Sequence, residues 1–150
     1  MKALRRFAMA ATVMAALVPT AANAAPADDP SARMIEAINE IRSDHGLRPL
    51  REAPALDRSA TGWAKRIVRT NSFSHGSSYL KTGFRETGEI LAYNPGRGLR
   101  PQPALRLWLR SSGHRALMLS SRFRYIGAGP ARGNVSGGPS TVWVVHFGAR

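Results

Sequence analysis

The hydrophobic periodicity of the sequence changes near Leu119, and this change constrains the fold more than any other feature. Before it, apolar residues recur every three or four positions in several segments, which predicts helices. The clearest of these segments is Pro54–Thr70. After it, apolar residues alternate in Phe123–Gly129 and in Thr141–Phe147, which predicts two strands of an antiparallel hairpin. Helices followed by paired strands indicate an α+β domain.

The predicted element order is helix, helix, short strand, helix, short helix, strand, strand. The first helix is capped by Asp29 or Ser31 and carries an apolar stripe from Met34 to Ile41. The short strand begins at Glu89. The breaks and loops between elements are predicted at Gly46, Gly88, Asn94–Pro103 and Gly133–Pro139.

The first two dozen residues have the composition of a secretory signal peptide. Basic residues at Lys2, Arg5 and Arg6 precede an apolar run, Ala8–Val18, and small residues follow up to Ala24. We predict a signal peptide over residues 1–24 that is cleaved after Ala24. The apolar run is too short to span a bilayer, so we expect a secreted or periplasmic protein with no transmembrane segment. The paired arginines leave both the general secretory and the twin-arginine routes open.

The predicted mature chain consists of a short leader, residues 25–32, and one domain, residues 33–150. Because the sequence has no cysteine, packing rather than disulfides must hold this domain together. Without the three basic residues of the signal peptide, 19 basic and 9 acidic residues give a net charge of +10. This charge favours an anionic envelope component or a lipid as partner. The cations are dispersed without interleaved aromatic residues, so we expect no specific nucleic acid binding, and we expect a monomer.

The segment Trp108–Leu119, WLRSSGHRALML, places a histidine at the break between two short helices. Ser112 or Gly113 can cap the second helix, so we predict that His114 lies in its first turn. Trp108 falls on the apolar face of the first helix, and we predict that it packs in the core.

A second histidine and a carboxylate complete the set of candidate residues. His75 lies in a turn-rich loop, NSFSHGSSY, after the Pro54–Thr70 helix. Glu89 opens the apolar run of the short strand, which places its carboxylate near the core. A buried carboxylate needs a partner, and histidine is the natural candidate.

Several motifs together resemble the CAP family, also called the SCP-like extracellular family (cysteine-rich secretory proteins, antigen 5, pathogenesis-related 1), in a small, cysteine-free bacterial form. Each motif is weak alone, but their shared order over Met34–Phe147 is specific. The motifs are PALDRSATGWAKRI, FSH at Phe73–His75, GEILAY at Gly88–Tyr93, W-x-x-S-x-G-H-R at Trp108–Arg115, RYIGAG and WVVHFG. The resemblance implies a three-layer α-β-α sandwich with a central antiparallel sheet.

The resemblance also implies a cleft lined by two histidines and up to two glutamates. His75 matches the first histidine, Glu89 the first glutamate and His114 the second histidine. Ser111 stands where the other glutamate is found in eukaryotic members, and Ile90 replaces the asparagine that often follows the first glutamate. Members of the family include proteins that bind zinc, calcium or magnesium, proteins that bind sterols or lipids, and a few that are proposed proteases.

Two interpretations of this cleft remain open from the sequence. Two imidazoles and one carboxylate suit one divalent cation such as zinc, with His75, His114 and Glu89 as ligands. The same three residues also suit a structural cluster in which Glu89 fixes an imidazole tautomer. No cysteine is present and no serine lies in a nucleophile motif. We therefore favour a binding module, with a metal-dependent, peptidase-like hydrolase as the alternative, and assign no catalytic residue.

Overall fold

The computed structural model describes residues 29–150, and the predicted signal peptide, residues 1–24, lies outside the described residues. The helices are α1 (Pro30–Asp44), α2 (Pro54–Thr70), α3 (Gln102–Arg110) and α4 (Ser112–Met118), with a short 3-10 helix at Ser78–Lys81. The strands are β1 (Arg51–Glu52), β2 (Glu86–Pro95), β3 (Tyr125–Val135) and β4 (Gly138–Ala149). Within residues 29–150, no helix has the length and apolar character needed to cross a bilayer.

The strands form one sheet in the order β1-β3-β4-β2. The three long strands are antiparallel to their neighbours, as predicted, whereas the two-residue β1 pairs parallel with the start of β3. Neither β1 nor the 3-10 helix is predicted from the sequence, because such segments are too short to display a periodicity.

Helices cover both faces of the sheet. On one face, α1, α3 and α4 pack apolar side chains against it, among them Met34, Ile38, Leu105, Trp108 and Met118. On the other face, α2 packs Ala60, Ala64 and Ile67 against Leu91, Val142 and Val144. The architecture is a three-layer α-β-α sandwich, which confirms the predicted fold class.

Glycines in β3 allow α2 to lie directly on the strand backbone. A Cβ at Gly127 would lie 2.3 Å from the backbone nitrogen of Asp57, and one at Gly129 would lie 2.3 Å from that of Thr61. Any side chain at these positions would push the helix away from the sheet. The close contact fixes α2, and the loop that follows α2 carries His75.

Three predicted boundaries are wrong because pairing between strands overrides local composition. All ten residues of β2 pair with β4, so Gly88 continues the strand instead of breaking it. The predicted loop Asn94–Pro103 is shorter, since β2 extends through Pro95 and α3 begins at Gln102. The predicted turn Gly133–Pro139 shrinks to Ser136 and Gly137, whose φ values of 54° and 87° are those of a tight hairpin turn.

The start of α1 and the core position in α3 agree with the sequence patterns. Asp29 caps α1, and its Oδ1 accepts a hydrogen bond from the Ser31 backbone at 3.0 Å. The helix begins at Pro30, inside the segment 25–32 expected as a leader. Trp108 is fully buried, and its Nε1 donates to the Leu91 carbonyl at 2.8 Å, which confirms that it packs in the core.

Candidate functional site

The centre of the candidate site is a buried carboxylate held between two histidines. The side chain of Glu89 is 1% exposed. Its Oε1 accepts hydrogen bonds from His75 Nδ1 at 2.8 Å and from the backbone nitrogen of Gly76 at 3.0 Å, and its Oε2 accepts one from His146 Nε2 at 2.8 Å. An ionised carboxylate only accepts hydrogen bonds, so each of these nitrogens carries a proton.

Opposing effects act on the ionisation of Glu89. Burial alone raises the pKa of this carboxyl, whereas hydrogen bonds from His146, from the Gly76 backbone and from His75 lower it. The net effect is a pKa below the ordinary value. Glu89 is therefore charged at neutral pH, and its charge stabilises the orientation of both imidazoles.

Strand register explains how the carboxylate meets His146. Glu89 on β2 and His146 on β4 are directly opposite each other in the antiparallel pair, so their side chains project from the same face of the sheet. His146 is fully buried, and the Tyr79 ring lies against it with a centroid distance of 5.2 Å. Among residues 29–150, His146 Nδ1 has no hydrogen-bond partner, so Glu89 is its anchor.

His146 is a site residue that was not predicted from the sequence. The signal was present, because TVWVVHF contains one ionisable residue within an apolar strand, and a buried carboxylate elsewhere was already known to need a partner. The register between β2 and β4 was not predicted, however, and without it nothing placed His146 opposite Glu89.

The loop that carries His75 is fixed by a tryptophan of α2. Trp63 Nε1 donates to the Ser74 carbonyl at 3.0 Å. The indole also packs so closely on Gly76 that a Cβ there would lie 2.5 Å from it. Trp63 is only partly buried, so it supports this loop in addition to packing against the core.

His75 presents one free nitrogen to solvent. Its side chain is 61% exposed. Because Nδ1 donates to Glu89, the neutral ring carries its lone pair on Nε2, and within the described residues this nitrogen has no hydrogen bond. The hydrogen bond to Glu89 thus holds neutral His75 in the tautomer with a proton on Nδ1 and a free lone pair on Nε2. A ligand-binding or proton-accepting imidazole needs such a free lone pair.

His114 lies in the first turn of α4, as predicted, although the cap is Ser111 and not Ser112 or Gly113. Burial first, and the charge of His75 second, lower the pKa of His114 below its ordinary value. His75 and His114 are therefore close enough to interact electrostatically, and His114 is neutral at neutral pH. Ser111 is half-buried, and its backbone carbonyl accepts from the Arg115 nitrogen at 2.9 Å.

The structure brings His75 and Glu89 into direct contact. His114 makes no hydrogen bond with either of them among the described residues and is linked to His75 by the electrostatic effect on its pKa, with Ser111 at the helix break beside His114. Between residues 29 and 150, no group of three or more His, Cys, Asp or Glu side chains is arranged to hold a metal ion. Both oxygens of Glu89 are occupied by hydrogen bonds, so in this arrangement the carboxylate has no free oxygen to serve as the predicted metal ligand.

Comparisons with known proteins extend the similarity beyond these residues. The model of the family described as "CAP: Cysteine-rich secretory protein family" matches residues 35–147. The uncharacterized membrane protein YlbC of Bacillus subtilis (strain 168) is 32% identical over 110 residues, which cover 67% of this chain and 31% of YlbC. The chain spans less than half the length of the curated relatives it matches.

Solved structures share the fold. An extracellular protein with an SCP domain from Bacillus anthracis str. Ames superposes with a TM-score of 0.62 and 25% identity, over 81% of this chain and 40% of that protein. NaASP2, whose crystal structure was determined with Zn²⁺, superposes with a TM-score of 0.60 and 14% identity, over 83% of this chain and 84% of its own. The family match covers most of the sequence and agrees with the sandwich architecture, and we conclude that this chain belongs to the CAP (cysteine-rich secretory protein) family.

Proposed function

We propose that the protein is an exported binding module whose site consists of His75 and His114, with the buried Glu89 behind His75 and Ser111 at the margin. The observation that carries this proposal is the hydrogen bond from His75 Nδ1 to the buried Glu89. A carboxylate that holds an exposed imidazole in one tautomer prepares the other ring nitrogen for a ligand. The signal-peptide pattern of residues 1–24 and the similarity to an extracellular SCP protein support a secreted or periplasmic location.

The two imidazoles define the chemistry of a suitable ligand. With both rings neutral, His75 and His114 offer nitrogen lone pairs, which suit a borderline cation such as zinc or a hydrogen-bond donor. The similar protein NaASP2 was crystallised with Zn²⁺. Two protein nitrogens fall short of the three ligands of a catalytic zinc site. If zinc binds here, we expect weak binding by His75 and His114, with Glu89 orienting His75, and we assign no reaction step to the metal.

Calorimetric titration with Zn²⁺ at about pH 7.5 and about pH 5.5 tests the cation proposal. Protonated imidazole does not coordinate zinc, so binding heat at the higher pH should fall steeply at the lower pH. His114→Ala should abolish the heat, whereas the change of the exposed His45 to alanine should not alter it. If no heat is released at the higher pH, or if His114→Ala leaves the heat unchanged, the residues form a structural cluster and not a cation site.

A metal-dependent, peptidase-like hydrolase is the second candidate function. The specific observation in its favour is the pairing of a buried carboxylate with an exposed imidazole, an arrangement that also prepares a general base. Across the described part of the chain, no serine hydroxyl is hydrogen-bonded to His75 or His114. Hydrolysis of casein or peptidoglycan is the assay, and activity that survives both a chelator and His114→Ala would remove this candidate.

A further inference from the structure

A concavity of about 510 Å³ lies where the segment between α1 and β1 meets the start of β3 and the end of β4. Four arginines line it together with Tyr125, and no acidic residue does. The arginines are Arg48, Arg51, Arg124 and Arg150, and we call this concavity the arginine pocket. It shares no lining residue with the His75 and Glu89 cluster.

No aspartate or glutamate side chain neutralises the positive charge of the arginine pocket among the described residues. In the part of the chain that the structure describes, none of its four arginines lies within 4.0 Å of a carboxylate oxygen of an aspartate or glutamate. A fifth cation lies beside the pocket, since Arg42 Nε donates to the Arg48 carbonyl at 3.1 Å, and burial first and the charge of Arg124 second lower the pKa of Arg42. Clustered like charges repel one another unless an anion sits among them.

Two of the four guanidinium groups are already held in place. The Arg150 guanidinium lies 5.1 Å from the centroid of the Tyr125 ring and 5.5 Å from that of the Phe84 ring. Arg124 donates through one terminal nitrogen to the backbone carbonyls of Ser121 and Phe123. Stacking of Arg150 uses none of its N–H donors, and Arg124 uses those of one terminal nitrogen, so most of the five donors of each guanidinium remain available. Less side-chain freedom is then lost when a ligand binds.

We propose that the arginine pocket binds the phosphate group of a phosphomonoester. Guanidinium groups match phosphate oxygens bidentately, and several of them suit a group that carries close to two negative charges. The volume exceeds what a bare phosphate fills, which leaves room for the group that bears it, such as a glycerol or a lipid headgroup. This inference deepens the proposed binding role but does not use His75 or His114.

Calorimetry with glycerol 3-phosphate, and co-sedimentation with phosphatidylcholine vesicles with or without phosphatidic acid, test the proposal. The test variant carries Arg51→Gln and Arg150→Gln. The matched control carries Arg106→Gln and Arg132→Gln, two exposed arginines outside the pocket, so both proteins have the same net charge. We expect the test variant to lose about tenfold or more in affinity and the control to lose less than about twofold.

The calorimetry and the co-sedimentation distinguish a soluble phosphomonoester from a membrane lipid as the ligand. Binding of glycerol 3-phosphate that the test variant loses supports a soluble ligand, and a selective loss of binding to phosphatidic acid vesicles supports a membrane lipid. Equal losses in the two variants would mean diffuse electrostatic attraction and would overturn the proposal, as would no binding in either arm. His114→Ala should bind phosphate like the wild type, so failure of the zinc titration and failure of this test are distinguishable.

Discussion

Two carboxyl groups, Glu89 and Asp57, show how neighbouring residues set opposite ionisation behaviour in one small domain. Glu89 accepts three hydrogen bonds and its pKa is lowered despite burial. Asp57, at the start of α2, accepts one hydrogen bond, from the Ala128 backbone nitrogen at 3.0 Å. Burial first, and repulsion from Glu52 with smaller weight, raise the pKa of Asp57 to about 7. Donors around the carboxylate, and not depth alone, decide which group stays charged.

The raised pKa of Asp57 predicts a loss of stability with increasing pH. Between the ordinary value of 3.8 and about 7, the folded state binds more protons at this site than the unfolded state, so the free energy of unfolding falls as pH rises through this window. Asn does not titrate, so Asp57→Asn should remove this decrease in the free energy of unfolding. We expect the decrease to be about 1 to 2 kcal/mol after allowance for solvent screening. Urea unfolding from pH 4 to pH 8 measures it.

Asp44→Asn is the control for this titration, because Asp44 is exposed at the end of α1. The difference between Asp57→Asn and the wild type should grow with pH, whereas Asp44→Asn should run parallel to the wild type. A difference between Asp57→Asn and the wild type that stays constant with pH would show that Asp57 titrates normally.

At the level of elements, α3 anchors the helix break that presents His114. Trp108 lies in the last turns of this nine-residue helix and is buried against the sheet. We predict that Trp108→Ala lowers the free energy of unfolding by about 3 to 5 kcal/mol, as large aromatic truncations do. Leu107→Ala, one residue earlier but 51% exposed, should lower it by less than about 1 kcal/mol. Equal losses in denaturant unfolding would contradict the packing role of Trp108.

The loop after α2 gives a second prediction at this scale. Gly76→Ala would place a Cβ 2.5 Å from the Trp63 indole, so the loop or the ring must move. We expect a loss of about 1 to 3 kcal/mol and a shifted NMR resonance for His75. Gly98→Ala is the control, because a Cβ there would meet no atom within 4 Å. An unchanged His75 resonance in Gly76→Ala would show that the loop does not depend on this contact.

The elements also show what the sequence could and could not predict. The long helix over residues 54–70, the buried Trp108 and the position of His114 follow from helical periodicity and caps, which are local. The strand at Gly88 and the hairpin turn at Ser136 depend on pairing with distant residues, which local composition does not report. His146 is placed opposite Glu89 only by the register between β2 and β4. The sequence therefore predicted that a histidine would be a partner of Glu89, but it did not predict that His146 would be one.

Across the whole molecule, buried polar side chains that hold the fold are distinct from the more exposed side chains that we propose for ligand binding. His146 and Glu89 are buried between β2, β4 and the 3-10 helix. His75 is largely exposed and His114 is half-buried, and the arginine pocket shares no lining residue with either. A binding module needs this division, because residues kept for a ligand contribute little to stability on their own.

The measurement that tests this division most directly is denaturant unfolding of His114→Ala beside His146→Ala, with His146→Gln as the conservative variant. Loss of His146 leaves the buried Oε2 of Glu89 without a hydrogen-bond donor, so His146→Ala should lower the free energy of unfolding by at least about 2 kcal/mol. His146→Gln should recover part of the loss, since its amide can donate. His114→Ala should stay within about 0.5 kcal/mol of wild type. A large loss for His114→Ala together with a small loss for His146→Ala would contradict the account.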